Sequence, residues 1–154
     1  MIVEEVEFGG EPADLVVGVA VAGFNRAITD RLLDGCLKTL EAEAVGRVRV
    51  FRVPGAWELA VAVSHLAKTG CAAVVAIGAV IRGETDHYEV IVRESANGIM
   101  RAALDSGIPV TNAVLAVSDY EQALDRSEPG PGNKGAEAAT AAVEMARRLE
   151  GLGG

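Results

Sequence analysis

The run CAAVVAIGAVI at residues 71–81 limits most strongly what this chain can fold into. It carries no charge, and it is far shorter than the roughly 20 residues a membrane span requires. A short Val- and Ile-rich segment that is apolar at both alternating sets of positions is a strand covered on both faces. LVVGVAVA at 15–22 has the same character. RVRVFRV at 47–53 alternates instead, as a half-covered strand nearer a sheet edge does. VTNAVLAV at 110–117, begun by Pro109, supplies a fourth strand. Helical spacing fills the intervals. Ile28, Leu32, Leu33, Cys36, Leu37 and Leu40 form one stripe, and Leu59, Val63 and Leu66 form a shorter one. A long helix is expected from about Thr85 to Ser106, with Tyr88, Ile91, Val92, Ser95, Ala96, Ile99 and Ala103 inward. A short helix holds EQALDR, and a terminal helix runs from about Lys134 to Glu150. Strands alternating with helices at this spacing imply βαβ crossovers. The expected fold is α/β, a three-layer αβα sandwich around a four-stranded parallel sheet.

At 154 residues the chain is read as one domain, 1–154, with residues 1–12 an N-terminal arm or extra strand. IVEEVEF alternates like a strand, but GGEPAD separates it from the rest. It is either a fifth strand, added to a neighbouring subunit's sheet, or a loose arm. Half of the residues are hydrophobic and only 4% aromatic, so Val, Ala, Leu and Ile must build the core. The net charge of −8 argues against nucleic acid or an anionic membrane as partner. An anionic ligand therefore needs a local positive spot. Cys36 and Cys71 sit in apolar segments without metal-like spacing and are expected to be buried free thiols, which suits a reducing cytoplasm. The acidic N-terminus does not have the form of a signal peptide.

Ligands of open α/β sheets bind beyond the carboxyl ends of the strands. GFNR, PGAWE, RGETDH and AVSDY all meet that edge. In RGETDH, Asp86 followed by Glu89 has the form of a capping box, which accounts for both acids without chemistry. Capping leaves Arg82, Gly83 and His87 unexplained. With Asp86 as cap, His87 falls on the first helical residue, beside free N–H donors that attract anions, and a histidine exchanges protons near neutral pH. His65, the other histidine, lies off its helix's apolar stripe and receives no role. On spacing alone Trp57 is expected to be a core-filling indole beside Glu58 at a helix start; the alternative is an aromatic wall beside an acceptor. Phe24 and Asn25 read as a staple residue and a helix cap, with Thr29 an alternative cap. The glycine-rich GPGNKGAEAA has no preceding strand, and Gly135 follows Lys134 where a nucleotide loop needs Ser or Thr. Arg126 and Lys134 remain as cations for a phosphate. GxGxxG, HExxH and metal-spaced Cys/His sets are missing from the sequence, so neither metal nor cofactor is expected.

Taken together, FN at 24–25, PGAWEL at 54–59, GAVIRGETDHY at 78–88, EQALDR at 121–126 and NKGAEAA at 133–139 closely resemble the 6,7-dimethyl-8-ribityllumazine synthase family, in order and spacing, from about residue 13 to 148. The resemblance implies a flavodoxin-like fold and a cofactor-free condensation of 5-amino-6-(D-ribitylamino)uracil with 3,4-dihydroxy-2-butanone 4-phosphate. It assigns proton transfer to His87. It places Phe24, Asn25, Ala56, Trp57, Glu58, Ala79, Val80 and Ile81 against the ribitylaminouracil, with Asn112 and Lys134 completing that pocket. Gly83, Glu84, Thr85 and a neighbouring subunit's Arg126 would hold the butanone phosphate. The chain departs from the family pattern at Ala116 and Val117, where a threonine pair is usual. It departs again at Asn112, often aromatic, and at Trp57, usually smaller.

The same resemblance implies a homo-oligomer with sites between subunits, a pentamer that in some members closes into a sixty-subunit icosahedral shell. It also names riboflavin synthase as a candidate partner. EPGPGN at 128–133 has the loop length associated with shell formers. His87, Thr85 and Arg126 speak against a shell or binding homologue that lost the chemistry, and GFNR supplies neither the phosphate loop nor the acidic cluster of a flavodoxin-like regulatory or flavin-binding domain.

Overall fold

The structure, a computed structural model, describes residues 1–153. In chain order it has β1 (Val16–Ala22), α1 (Arg26–Ala42), β2 (Arg47–Val53), α2 (Leu59–Ala67), β3 (Ala73–Ile81), α3 (His87–Ser106), β4 (Val110–Val117), α4 (Tyr120–Ser127) and α5 (Lys134–Gly151). The sheet is parallel throughout, in the order β2-β1-β3-β4. The two fully apolar strands thus lie inside, and the alternating β2 lies at an edge, as their patterns require. This is the flavodoxin-like αβα sandwich.

One face of the sheet presents Val17, Val19, Val21, Val75 and Ile77 to α1, α4 and α5. The other presents Ala20, Ala22, Val74 and Ala76 to α2 and α3. Burial of each such Val, Leu or Ile contributes about 1.5–3 kcal/mol before entropy is counted. Contact between α1 and α5 depends on Gly135, where a Cβ would collide with the Leu32 carbonyl. Beside it the buried Asn133 donates from Nδ2 to the carbonyls of Ser127 (2.9 Å) and Arg31 (3.3 Å), while Oδ1 accepts from Ala136 N (3.0 Å).

Several local expectations need correction. Leu37 is exposed, at the margin of the face on which α1 buries Thr29, Leu32, Leu33, Cys36 and Leu40. Helix α3 starts at His87, the residue expected to follow Asp86 at the cap position, but it buries Ser95, Ile99 and Ala102 while Ala96 is exposed. Only one side of that helix is covered, so its apolar stripe is narrower than the sequence suggests. The segment 2–8 forms no strand with this chain's sheet, and its first residues are exposed. Its root is nevertheless attached: Gly9 N donates to Arg147 O (2.8 Å), and the Phe8 ring lies 4.7 Å from the Arg147 guanidinium and 4.6 Å from that of Arg148.

The feature that positions the site is an unequal strand length. Pairing of β1 with β3 ends at Val21↔Ile77, whereas β3 stays paired with β4 through Ile81↔Val117. The end of β3 therefore projects past β1, with one backbone edge unpaired by a strand.

Candidate active site

Order reverses between β1 and β3, and a cavity of about 650 Å³ opens there at the carboxyl ends of the strands. Phe24 and Asn25 enter from the turn after β1, and Ala56, Trp57 and Glu58 from the turn after β2. Ala79, Val80 and Ile81 form the projecting end of β3, and His87 opens α3. Sequence reasoning placed all of these at the same edge. It missed Gly55, Val90 and Ile91, which also line the cavity. Ile91 was visible as part of the α3 stripe; Val90 was not, because it lies beside that stripe. Gly55 lets the Phe24 ring sit close: an added Cβ there would come within 2.8 Å of it and displace the ring.

Trp57 corrects its expectation. The indole is 55% exposed and forms part of the cavity wall, because the turn after β2 carries it outside the sheet-facing stripe of α2. It also borders an apolar groove with Phe51, Val61 and His65. Glu58 Oε2 accepts from Gly55 N (3.0 Å), which fixes the turn and leaves the other carboxylate oxygen free for a second partner.

The capping box at α3 does not form. Asp86 occupies the cap position in helical geometry without a side-chain bond to the helix start. Glu89 lies 3.6 Å from Arg82 instead, and the Arg82 guanidinium sits 4.5 Å from the Tyr88 ring centre. His87 N points to Thr85 Oγ1 at 3.4 Å, a long contact. Asn25 likewise sits at the cap position of α1 without capping it. Its backbone is left-handed (φ 58°), and its Nδ2 donates to Ala79 O (2.8 Å).

The remaining candidates lie elsewhere. Gly83, Glu84 and Thr85 form an exposed turn before α3. Asn112, Arg126 and Lys134 line a separate groove of about 480 Å³ along the open β4 edge. There Lys134 Nζ pairs with Glu137 (2.8 Å), Arg126 donates to Gln122 O (3.2 Å), and Asn112 Oδ1 accepts from Val114 N (2.8 Å). The structure thus brings the aromatic wall, the projecting backbone and the histidine together, but not with the cations.

Both cysteines are free and buried, and burial pushes the Cys36 thiol from 9.0 up to about 12, so it stays protonated and inert. Among the described residues no cluster of His, Cys, Asp or Glu has the makings of a metal site, and no helix is long and apolar enough to cross a membrane.

A flavodoxin-like sheet with an aromatic-walled cavity at its strand-order reversal and a histidine at a helix start defines a class of α/β enzymes acting on small molecules. Comparison with known proteins specifies which. The chain matches 6,7-dimethyl-8-ribityllumazine synthase over residues 14–150, and it belongs to that family. The 6,7-dimethyl-8-ribityllumazine synthase of Halorhodospira halophila is 45% identical over 143 residues, 89% of this chain and 92% of that protein. The Thermococcus kodakarensis protein of the same name is 42% identical over 96% of this chain and 94% of its own length. A chloroplastic relative from Arabidopsis thaliana is 42% identical over 86% of this chain and 60% of its own.

Proposed function

We propose that the chain, as one domain with residues 1–12 as an arm, condenses 5-amino-6-(D-ribitylamino)uracil with 3,4-dihydroxy-2-butanone 4-phosphate. The product is 6,7-dimethyl-8-ribityllumazine, the immediate precursor of riboflavin. The observation that carries this reading is the convergence of Phe24, the end of β3 and His87 on one cavity. Phe24 stacks on the pyrimidine, whose polar edge meets the backbone of Ala79, Val80 and Ile81. Ala56, Trp57 and Glu58 line the ribityl chain, and the free oxygen of Glu58 accepts from its hydroxyls. The primary amine attacks the ketone, and an imine forms with loss of water. Phosphate is then eliminated, and ring closure releases water again. His87 takes and returns protons through these steps, and holding two reactants face to face supplies much of the acceleration.

The phosphate lies at the segment Gly83, Glu84 and Thr85, beside the start of α3, where Asp86 makes no side-chain cap and only the long Thr85 contact engages the first N–H. Its countercharge is Arg126 of a neighbouring subunit, with Asn112 and Lys134 of that subunit closing the ring pocket. The split between cavity and β4 groove supports sites shared between copies of a homo-oligomer, which the family resemblance makes a pentamer. The acidic arm, with Glu4, Glu5 and Glu7, complements the arginines of edge strand β2, Arg47, Arg49 and Arg52, and adds to a neighbour's sheet there. Riboflavin synthase is the proposed partner enzyme. A reducing cytoplasm is the proposed compartment, which two buried free thiols suit.

The test is to mix the purified protein with both substrates and follow lumazine fluorescence and phosphate release. A rate no higher than the uncatalysed background overturns the reading. The shared site has its own test: His87→Ala and Arg126→Ala chains, each strongly slowed alone, regain full-rate turnover at roughly a quarter of the sites when dissociated and reassembled together. No recovery places both residues in one chain's site.

A further inference from the structure

We infer that Asn25 is a positioning residue, which holds the projecting end of β3 at the depth the pyrimidine needs and acts on the ring through the Ala79 carbonyl. The inference rests on the proposed function for its substrate. Its structural basis is independent of it.

Ala79 lies beyond the last β1–β3 pair, Val21↔Ile77, so no β1 backbone donor reaches it. It is also buried, at 5% exposure. A buried carbonyl without a donor costs much more than an ordinary hydrogen bond contributes. The chain meets this need with a side chain. After β1 the backbone turns away at Gly23, whose N–H donates to Val53 O and Pro54 O. Asn25 then reaches back, and its Nδ2 donates to Ala79 O at 2.8 Å. The carboxamide stands where the next β1 residue would have paired.

The same residue carries a left-handed backbone (φ 58°, ψ 49°), which asparagine tolerates better than most side chains. That conformation spends the helix-cap position of α1 without capping it, so the side chain is committed to β3. The bond also joins the two walls of the cavity. Phe24 precedes Asn25 directly, and Val80 and Ile81 follow Ala79 directly. One hydrogen bond therefore sets the gap between the aromatic face and the backbone edge.

Two variants separate this role from simple contact with substrate. Asn25→Gly suits the left-handed backbone and removes the amide. Asn25→Asp keeps the shape and removes the donor. In both, hydrogen exchange of a peptide covering residues 78–83 in the ligand-free assembly should quicken. The KM for ribitylaminouracil should rise about tenfold while kcat and the KM for the butanone phosphate change less than about threefold. Unchanged exchange with a raised KM overturns the inference in favour of direct contact. Faster exchange with every kinetic constant unchanged also overturns it, because the β3 end then does not set the ring pocket. If the unaltered protein fails to form lumazine, the functional reading falls; the positioning role then falls with it, whatever the exchange shows of the Asn25 bond.

Discussion

Helices that begin at the cavity start differently from those that begin beyond β4. Helices α4 and α5 are closed by side chains: Asp119 accepts from Gln122 N at 2.9 Å, and Asn133 accepts from Ala136 N at 3.0 Å. Helices α1 and α3 have Asn25 and Asp86 at the same position, and neither caps. The charges divide in the same way. The cavity lining holds no lysine or arginine, while the β4 groove holds Arg126 and Lys134. The two regions use polar groups for opposite purposes. Beyond β4 they close the helix starts, and at the cavity they bond elsewhere, Asn25 to the end of β3 and Glu89 to Arg82. On the proposed reading, each region is half of what a phosphate-bearing substrate requires.

Experiments can break that contrast, and the largest effect should come from the cation. Arg126→Ala should lower kcat/KM about 10²- to 10³-fold with little change in melting temperature; steady-state kinetics on the reassembled protein checks it. A loss of stability alone would make Arg126 a structural residue. Next comes His87→Ala, expected to slow turnover about 10²-fold without abolishing it, since positioning remains. An unchanged single-turnover rate removes the histidine from proton transfer.

Asn133→Ala addresses the closed side. It strips three hydrogen bonds from a buried site and should cost about 2–3 kcal/mol in denaturant unfolding. Trp57→Ala should leave stability within about 0.5 kcal/mol, against the 3–5 kcal/mol of a core indole, while raising the KM for ribitylaminouracil. The smallest effect belongs to Asp86→Ala, within about 0.3 kcal/mol, because no cap bond is lost. A cost near 1 kcal/mol would restore the capping box and weaken the contrast.

The sequence disclosed the sheet because apolar runs and alternation report burial directly. CAAVVAIGAVI had to be inside, and RVRVFRV had to be near an edge. Topology then brought GFNR, PGAWE and RGETDH to one rim without knowledge of any side chain. What spacing could not disclose was the partner each polar group chose. Asn25 and Asp86 have the residue types and positions of helix caps, but Asn25 bonds across 54 residues to Ala79. Glu89 found Arg82 in place of the helix backbone. Such choices depend on which group tertiary folding brings within about 3 Å. The NKG segment shows the same limit from the other side. Its lysine drew attention as a ligand residue, while the flanking Asn133 and Gly135 proved to lock α1 against α5.

The clasp of Phe8 between Arg147 and Arg148 has a practical consequence for anyone building on this chain. It holds Gly9 against Gly151, so the root of the arm and the last helix lie side by side. A dye joined past Gly151 would therefore sit beside that root and report whether the arm stays seated as subunits come together or apart.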